Sequence, residues 1–197
     1  MRVISLLGLP GSGKSYYGKK LAKKTKARFI PEIATRLIYE KGYTPGMRGS
    51  LDFDHDILIH NIKTAEDVLK SNELTFWEGG PVQDVVFLKG RMNLVGVEDK
   101  RRELLKRYNG KLFDKLDYES LYVFFNVDPK VSIERQNLRV KPELLTSNFK
   151  LLHYVNDNLE KFCEINKDKV ISINVDRSKR EIFKEVYNRV LEKIELE

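Results

Sequence analysis

The feature that most constrains this chain is a glycine-rich octapeptide close to its start, Gly8-Leu9-Pro10-Gly11-Ser12-Gly13-Lys14-Ser15. It matches the pattern G-x-x-x-x-G-K-[ST] at every fixed position. An apolar run ends just before it and helical spacing begins within it, so we predict a strand, a loop and a helix in that order. Such a loop directs backbone N–H groups at phosphate oxygens, at the positive end of a helix dipole. The motif therefore predicts that the chain binds a nucleoside triphosphate.

Within this loop, individual side chains have predicted tasks. The residues expected to surround the nucleotide are Gly8, Pro10, Gly11, Ser12, Gly13, Lys14 and Ser15. Lys14 would bring positive charge to the β- and γ-phosphates, and the Ser15 hydroxyl is a hard ligand suited to Mg²⁺. The expected cofactors are ATP, or another nucleoside triphosphate, and Mg²⁺.

Short apolar runs alternate with longer helical patterns along the chain, which is typical of an α/β protein. We predict five strands, at 3–7, 27–30, 74–77, 121–127 and 170–175. Runs without polar alternation are typical of strands that helices cover on both faces. The predicted fold is a three-layer P-loop fold with a mainly parallel five-stranded sheet, flanking helices and a helical lid.

The length of 197 residues suits a single domain spanning 1–197, with a lid at about 135–150 and a basic insertion at about 89–117. A lone Cys163 excludes an internal disulfide and a four-cysteine zinc site, and favours a reducing compartment. The apolar run at the start is too short for a signal sequence or a membrane span. We therefore expect a cytoplasmic protein without a membrane partner.

The charge of +7 is concentrated in one region. Residues 89–111 contain eight basic and three acidic side chains, most of the excess. Such a segment is compatible with nucleic acid or with small polyanions such as nucleotides. Only one aromatic residue, Tyr108, lies within it, whereas single-strand binding usually needs stacking platforms. Nucleic acid is therefore the less favoured partner.

A carboxylate follows the third predicted strand, where Glu78 precedes Gly79 and Gly80. The carboxyl ends of parallel strands form the binding edge of such sheets, so Glu78 is placed to accept a proton from an acceptor hydroxyl or to bind a metal together with Ser15. The alternative is that Glu78 caps the following helix.

This stretch resembles the Glu-Arg-Ser-x-x-x-Asp-Arg motif of deoxynucleoside kinases and the Asp-Arg motif of thymidylate kinases, with Glu78 and Asp84 at the family spacing. The resemblance implies that Glu78 activates the acceptor hydroxyl and that Asp84 contacts the acceptor. Gly79 and Val85 occupy the positions of the two family arginines. Those cationic contacts must come from elsewhere, or the acceptor must differ.

The segment from Pro31 through Glu32 to Arg36 is similar to the second-strand motif of the same superfamily, and to the Pro-Glu-x-x-x-Arg stretch of kinases related to nicotinamide riboside kinases. The resemblance implies that Glu32 hydrogen-bonds an acceptor sugar and that Arg36, one helical turn on, holds Glu32 in place. The alternative is an exposed pair at a helix start.

Two later segments extend the resemblance. Val127-Asp128-Pro129 followed by Arg135 and Arg139 is similar to the strand-to-lid passage of thymidylate and deoxynucleoside kinases. It implies that both arginines close over the triphosphate and stabilise the charge that develops during transfer. Residues 174–178 are similar to the loop that contacts adenine in this group, which assigns Asp176 to nucleotide binding.

We therefore expect a small-molecule kinase that transfers a phosphoryl group from Mg-ATP to a nucleoside or nucleoside monophosphate. Two alternatives stay open, a polynucleotide 5′-end kinase or nucleic-acid-associated ATPase, and a non-catalytic nucleotide-sensing module. The chain lacks the N-K-x-D tetrapeptide that is typical of GTPases. Relatives of this group are often dimers, so a homodimer is also an expectation.

Overall fold

The computed structural model describes residues 3–43, 50–95, 99–108, 120–138 and 148–195. Five strands in these ranges form one sheet in the order β2-β3-β1-β4-β5, and every neighbouring pair is parallel. They are β1 (Val3–Leu7), β2 (Arg28–Ile30), β3 (Thr75–Glu78), β4 (Ser120–Asn126) and β5 (Val170–Asn174). The predicted five-stranded parallel sheet is confirmed, and each strand end lies within one residue of its predicted position.

Eight α-helices occur in the described ranges. They are α1 (Lys14–Thr25), α2 (Ile33–Lys41), α3 (Leu51–Lys70), α4 (Gly80–Val95), α5 (Asp99–Tyr108), α6 (Pro129–Asn137), α7 (Phe149–Ile165) and α8 (Lys179–Glu195). A 3₁₀ turn at Lys167–Lys169 precedes β5. Helix α3 begins directly after Ser50, whose hydroxyl accepts a hydrogen bond from the Phe53 N–H at 3.2 Å and so caps the helix.

Helices cover both faces of the sheet. A Cβ atom at Gly18 of α1 would lie 2.4 Å from Leu6 Cδ1, and one at Gly80 of α4 would lie 3.2 Å from Ser5 Oγ. Because successive side chains of a strand point to opposite faces, α1 and α4 lie on opposite sides of β1. All five residues of β1 are buried as a result. This explains the continuous apolar pattern of the strand in the sequence.

Two segments predicted from the sequence lie only partly within the described residues. Of the basic insertion expected at 89–117, residues 89–95 complete α4, and α5 packs against α3. The expected lid at 135–150 begins with the end of α6 and ends with the start of α7, but Arg139 and residues up to 147 lie outside the described residues.

None of the helices in the described ranges is both long enough and apolar enough to cross a membrane.

Candidate functional site

The carboxyl ends of the five strands share one edge of the sheet, because all the strands are parallel. The glycine-rich loop leaves β1 at this edge and Glu32 follows β2. Glu78 is the last residue of β3, and Asp176 comes soon after β5. The fold therefore gathers at one edge segments that are widely separated in sequence.

The glycine-rich loop packs closely against its surroundings. Gly8 has a φ of 140°, and a Cβ atom there would lie 2.6 Å from the carbonyl oxygen of Phe125 in β4. Gly13 has a φ of 97° and stands directly before the first turn of α1. Only glycine adopts such conformations at low cost, so these positions cannot change without moving the loop.

Lys14 and Ser15 begin α1 directly beneath the loop. Lys14 is 4% exposed, and its Nζ donates to the carbonyl oxygens of Gly8 at 2.7 Å and Leu9 at 3.0 Å. The Ser15 hydroxyl donates to Glu78 Oε1 at 2.5 Å. The start of α1 therefore carries the ammonium group of Lys14 beneath the loop. The Ser15 hydroxyl next to it lies beside the Glu78 carboxylate.

The Glu78 carboxylate is buried, with 6% of the residue exposed. Burial raises its pKa above the ordinary glutamate value, and the nearby Glu32 charge raises it further, while Lys14 and the Ser15 hydroxyl oppose this. A backbone hydrogen bond from Glu32 also favours the charged form. Glu78 is thus a stronger base than a surface glutamate and connects the glycine-rich loop to the turn after β2.

Glu32 lies beside Glu78, but Arg36 does not hold it as the sequence led us to expect. The Arg36 Nε lies 3.6 Å from Glu40 Oε1, on the exposed side of α2. Glu32 instead accepts hydrogen bonds from the Thr35 hydroxyl at 3.3 Å and from Gln83 Nε2 at 3.5 Å. Arg36 pairs with Glu40 because Glu40 is also one helical turn away from Arg36, on the solvent side of α2.

Asp84 is buried on α4 and pairs with a side chain of α3. Asn61 Nδ2 donates to Asp84 Oδ2 at 2.5 Å, and Asn61 itself is fully buried. Burial raises the pKa of Asp84 to about 7, although the hydrogen bond from Asn61 opposes this shift. The Glu32 charge raises the pKa as well. Asn61 Oδ1 has no hydrogen-bond partner among the described residues.

Helix α6 lies against the glycine-rich loop. The Ser132 hydroxyl donates to the carbonyl oxygen of Pro10 at 2.6 Å, and a Cβ atom at Gly11 would lie 3.3 Å from Arg135 Cβ. The Arg135 guanidinium donates to the carbonyl oxygen of Val175 at 3.2 Å and lies 3.4 Å from Asp176 Oδ1. The structure thus brings Arg135 and Asp176 together beside the loop.

The two positions that carry arginines in deoxynucleoside kinases have different environments. Val85 is buried in an apolar cluster with Leu58 and Leu88. Gly79 has a φ of 77°, and a Cβ atom there would lie 3.2 Å from Gln83 Nε2. Instead of two arginines, the structure therefore has the apolar side chain of Val85 at one position and the buried amide of Gln83 next to Gly79 at the other.

Three buried side chains at this edge were not selected from the sequence, namely Asn61, Gln83 and Ser132. Asn61 and Ser132 look like ordinary polar residues of amphipathic helices, and no pattern distinguishes them. Gln83 had a signal, because it stands with Asp84 inside an otherwise apolar run at the start of α4. Polar side chains in such a run must find buried partners.

The fold is similar to that of solved deoxyadenosine kinase structures from M. mycoides. With the structure that has bound dATP, the TM-score is 0.73 at 19% identity, covering 95% of this chain and 98% of that chain. With the structure that has the products dCMP and dCDP, the TM-score is 0.73 at 16% identity, covering 96% and 99%. With the structure that has bound dCTP, it is 0.69 at 18% identity, also covering 96% and 99%.

No curated protein sequence matches the chain. A family model described as deoxynucleoside kinase matches residues 4–196. That match includes the glycine-rich loop, Glu78 and every residue of the sheet except Val3. The chain therefore belongs to the deoxynucleoside kinase family of P-loop phosphotransferases.

Proposed function

We propose that this protein transfers the γ-phosphoryl group of ATP to a hydroxyl group of a deoxynucleoside, in the presence of Mg²⁺. The observation that carries the proposal is the position of Glu78. Its carboxylate accepts a hydrogen bond from Ser15 in the glycine-rich loop at 2.5 Å and another from the backbone of Glu32. One buried base thus joins the loop that would bind the donor to the side that would bind the acceptor.

In the proposed reaction, Glu78 accepts the proton of the acceptor hydroxyl as its oxygen attacks the γ-phosphorus and ADP leaves. Its raised pKa makes it a more effective base. Lys14 and the N-terminal N–H groups of α1 would stabilise the negative charge on the transferred group. Arg135 and Arg139 would add positive charge from the lid side, with Asp176 beside the donor base.

The residues present fit Mg²⁺. The Ser15 hydroxyl and the Glu78 carboxylate are hard oxygen donors that lie side by side. Mg²⁺ is usually held by one or two such protein groups together with phosphate oxygens and waters. When bound, it would neutralise charge on the β- and γ-phosphates.

The acceptor side is formed by Glu32, Asp84 and Asn61. Asp84 and Asn61 form a buried pair in which Asp84, 7% exposed, would contact the nucleobase and the fully buried Asn61 would hold the Asp84 carboxylate in place. Glu32 can accept a hydrogen bond from a sugar hydroxyl. We propose a deoxynucleoside because the charge of Glu32 acts on both Glu78 and Asp84, which puts these carboxylates near one another, and because the chain belongs to the deoxynucleoside kinase family.

The test is a panel of the four deoxynucleosides with γ-labelled ATP, using wild type and Glu78→Gln. We expect label in a deoxynucleoside monophosphate with wild type, and a kcat lowered about 10²- to 10⁴-fold in the variant, because the base is lost. The Kd for ADP measured without Mg²⁺ should change less than about threefold, since Lys14 and the glycine-rich loop are intact.

Glu73→Gln is the matched control, because Glu73 is an exposed glutamate just before β3 and should keep wild-type kinetics. Label found only in inorganic phosphate would overturn the proposal. Wild-type kcat in Glu78→Gln would overturn the role of the base. Nucleotide binding with no turnover in either protein would instead support the nucleotide-sensing alternative.

A further inference from the structure

Gln83 touches both sides of the candidate site with one buried side chain. It lies in the first turns of α4 and is fully buried. Its Oε1 accepts a hydrogen bond from the backbone N–H of Gly8 at 3.0 Å, across 75 positions of sequence. Its Nε2 donates to Glu32 Oε1 at 3.5 Å. The first residue of the glycine-rich loop and the carboxylate after β2 therefore share a partner.

The orientation of this amide follows from its neighbours. The backbone N–H of Gly8 can only donate, so the group that faces it must be the carboxamide oxygen. The NH₂ group must then face the other way, toward the Glu32 carboxylate, which can only accept when ionised. A side chain that only donates or only accepts cannot make both contacts.

The backbone around Gln83 leaves room for this arrangement. A Cβ atom at Gly79 would lie 3.2 Å from Gln83 Nε2 and 4.0 Å from Glu32 Cγ. A larger residue at position 79 would have to displace the amide or the carboxylate. The glycine after Glu78 thus allows Gln83 and Glu32 to meet.

We propose that Gln83 is a positioning residue that couples the donor loop to the acceptor carboxylate, so that a change at Glu32 is transmitted to the nucleotide and the reverse. The inference rests on the proposed function only for the identity of the ligand that Glu32 binds. The coupling between Gly8 and Glu32 does not depend on it. Gln83 holds Gly8 at the start of the loop and Glu32 at the acceptor. Neither contact requires Gln83 to touch a substrate.

The test is a double-mutant cycle of Gln83→Leu and Glu32→Ala, with the Kd for Mg-ADP as the first readout. We expect the Kd of the double variant to differ at least threefold from the value obtained by multiplying the two single effects, because each substitution removes the same link between Gln83 and Glu32. Strict additivity would overturn the proposal. This readout needs no acceptor, so it stands even if no deoxynucleoside is phosphorylated.

The second readout is the KM for whichever deoxynucleoside the wild type phosphorylates. Gln83→Leu should raise it about tenfold, since the orienting hydrogen bond on Glu32 is lost. In the Glu32→Ala background the same change should raise it less than twofold. An equal rise in both backgrounds would contradict the proposed link. Absence of any turnover by wild type would count against the proposed function alone.

Gln83→Glu separates the two contacts and replaces Gln83→Leu if that variant fails to fold. Its carboxylate can still accept from the Gly8 N–H but repels Glu32, so the Kd for Mg-ADP should change only about as much as in Glu32→Ala, while the acceptor KM rises about tenfold. A merely structural glutamine would lower the melting temperature without this split.

Asn156→Leu is the control for loss of a buried helical amide. Asn156 Nδ2 donates to Glu160 on α7, not to a residue of the site. We expect a lower melting temperature with an unchanged acceptor KM. The same change in KM as Gln83→Leu would overturn the positioning role.

Discussion

Two buried carboxylates of the candidate site, Glu78 and Asp84, have pKa values raised for the same first reason, which is their removal from water. The Glu32 charge raises both further. Their hydrogen bonds differ, since Glu78 accepts from a hydroxyl and a backbone N–H, whereas Asp84 accepts from the Asn61 amide. Asp84, with a pKa of about 7, therefore titrates near neutral pH.

The raised pKa of Asp84 predicts how the stability of the protein depends on pH. The pKa of Asp84 is raised from 3.8 to about 7 in the folded protein, so the folded state binds the proton more tightly and loses stability as pH rises through this range. Asp84→Asn removes the charge but keeps an oxygen that can accept from Asn61. We expect its free energy of unfolding to exceed that of wild type by a few kcal/mol, up to about 4, at pH 8.

Urea unfolding of both proteins between pH 4.5 and pH 8 measures this difference. The difference in the free energy of unfolding between Asp84→Asn and wild type should be small near pH 4.5 and increase toward pH 8. Parallel curves would show that Asp84 is not the group responsible.

At the scale of elements, α3, α4 and α5 meet at a single carboxylate. Asp54 of α3 is fully buried and pairs with Arg91 of α4 and, at 2.9 Å, with Arg101 of α5. Helix α5 is highly charged, and among its described side chains the partly buried Leu104 and Leu105 pack against the core. The ion pair with Asp54 is therefore a main attachment of α5 to the domain.

Asp54→Ala should be strongly destabilising, because it leaves two arginines in the interior without this carboxylate. The expected loss in the free energy of unfolding is about 3–5 kcal/mol. Asp67→Ala is the matched control, since Asp67 pairs with Arg28 at 2.6 Å but on the surface, and should cost less than about 1 kcal/mol. Urea unfolding of both variants is the measurement. Similar losses for the two would contradict the importance of burial.

For the whole molecule, the ion pairs with Asp54 show that part of the basic segment behind the net charge of +7 does not face solvent. Two of the arginines in the basic segment, Arg91 and Arg101, point inward to Asp54 and are not placed to follow a phosphate backbone. The exposed basic side chains described there are Lys89, Lys100, Arg102 and Lys106. Nucleotide binding at the sheet edge needs none of them, which favours a small-molecule acceptor over nucleic acid.

Thermal unfolding with different ligands tests this preference. Mg-ADP at about one hundred times its Kd should stabilise the protein by about 2.7 kcal/mol, which raises the melting temperature by roughly 5–10 °C at this size. A single-stranded 20-mer DNA should change it by less than about 1 °C. A DNA-induced shift as large as that of Mg-ADP, and lost at high salt, would favour the nucleic-acid alternative.

The sheet could be predicted closely because its signals are local. Each strand is an apolar run bounded by a turn residue, and the glycines of the loop are required by backbone geometry such as that of Gly8 against Phe125. The start of α3 is harder to recognise, because its first turn contains the two acidic residues Asp52 and Asp54 and only Ser50 marks the beginning of the helix. A short first turn with charged residues has little periodicity to detect.

The candidate site could be predicted only in part. The glycine-rich loop and Glu78 could be placed at one edge because parallel strands share their carboxyl ends, whereas the resemblance to the kinase family assigned Glu32, Asp84, Arg135 and Asp176 to the site. The sequence also led us to pair Arg36 with Glu32, on helical spacing alone. The structure pairs Arg36 with Glu40, since spacing does not reveal which of two carboxylates lies on the same side as the guanidinium.

By itself, the sequence determined the order of strands and helices, the phosphate-binding loop and the edge of the sheet where the chemistry gathers, because these follow from periodicity and backbone conformation. Only the tertiary structure decided which buried polar groups meet. The contacts of Gln83 with Gly8, of Asn61 with Asp84 and of Asp54 with two arginines join distant positions. Such contacts depend on how the helices pack over the sheet, and no local pattern encodes that packing.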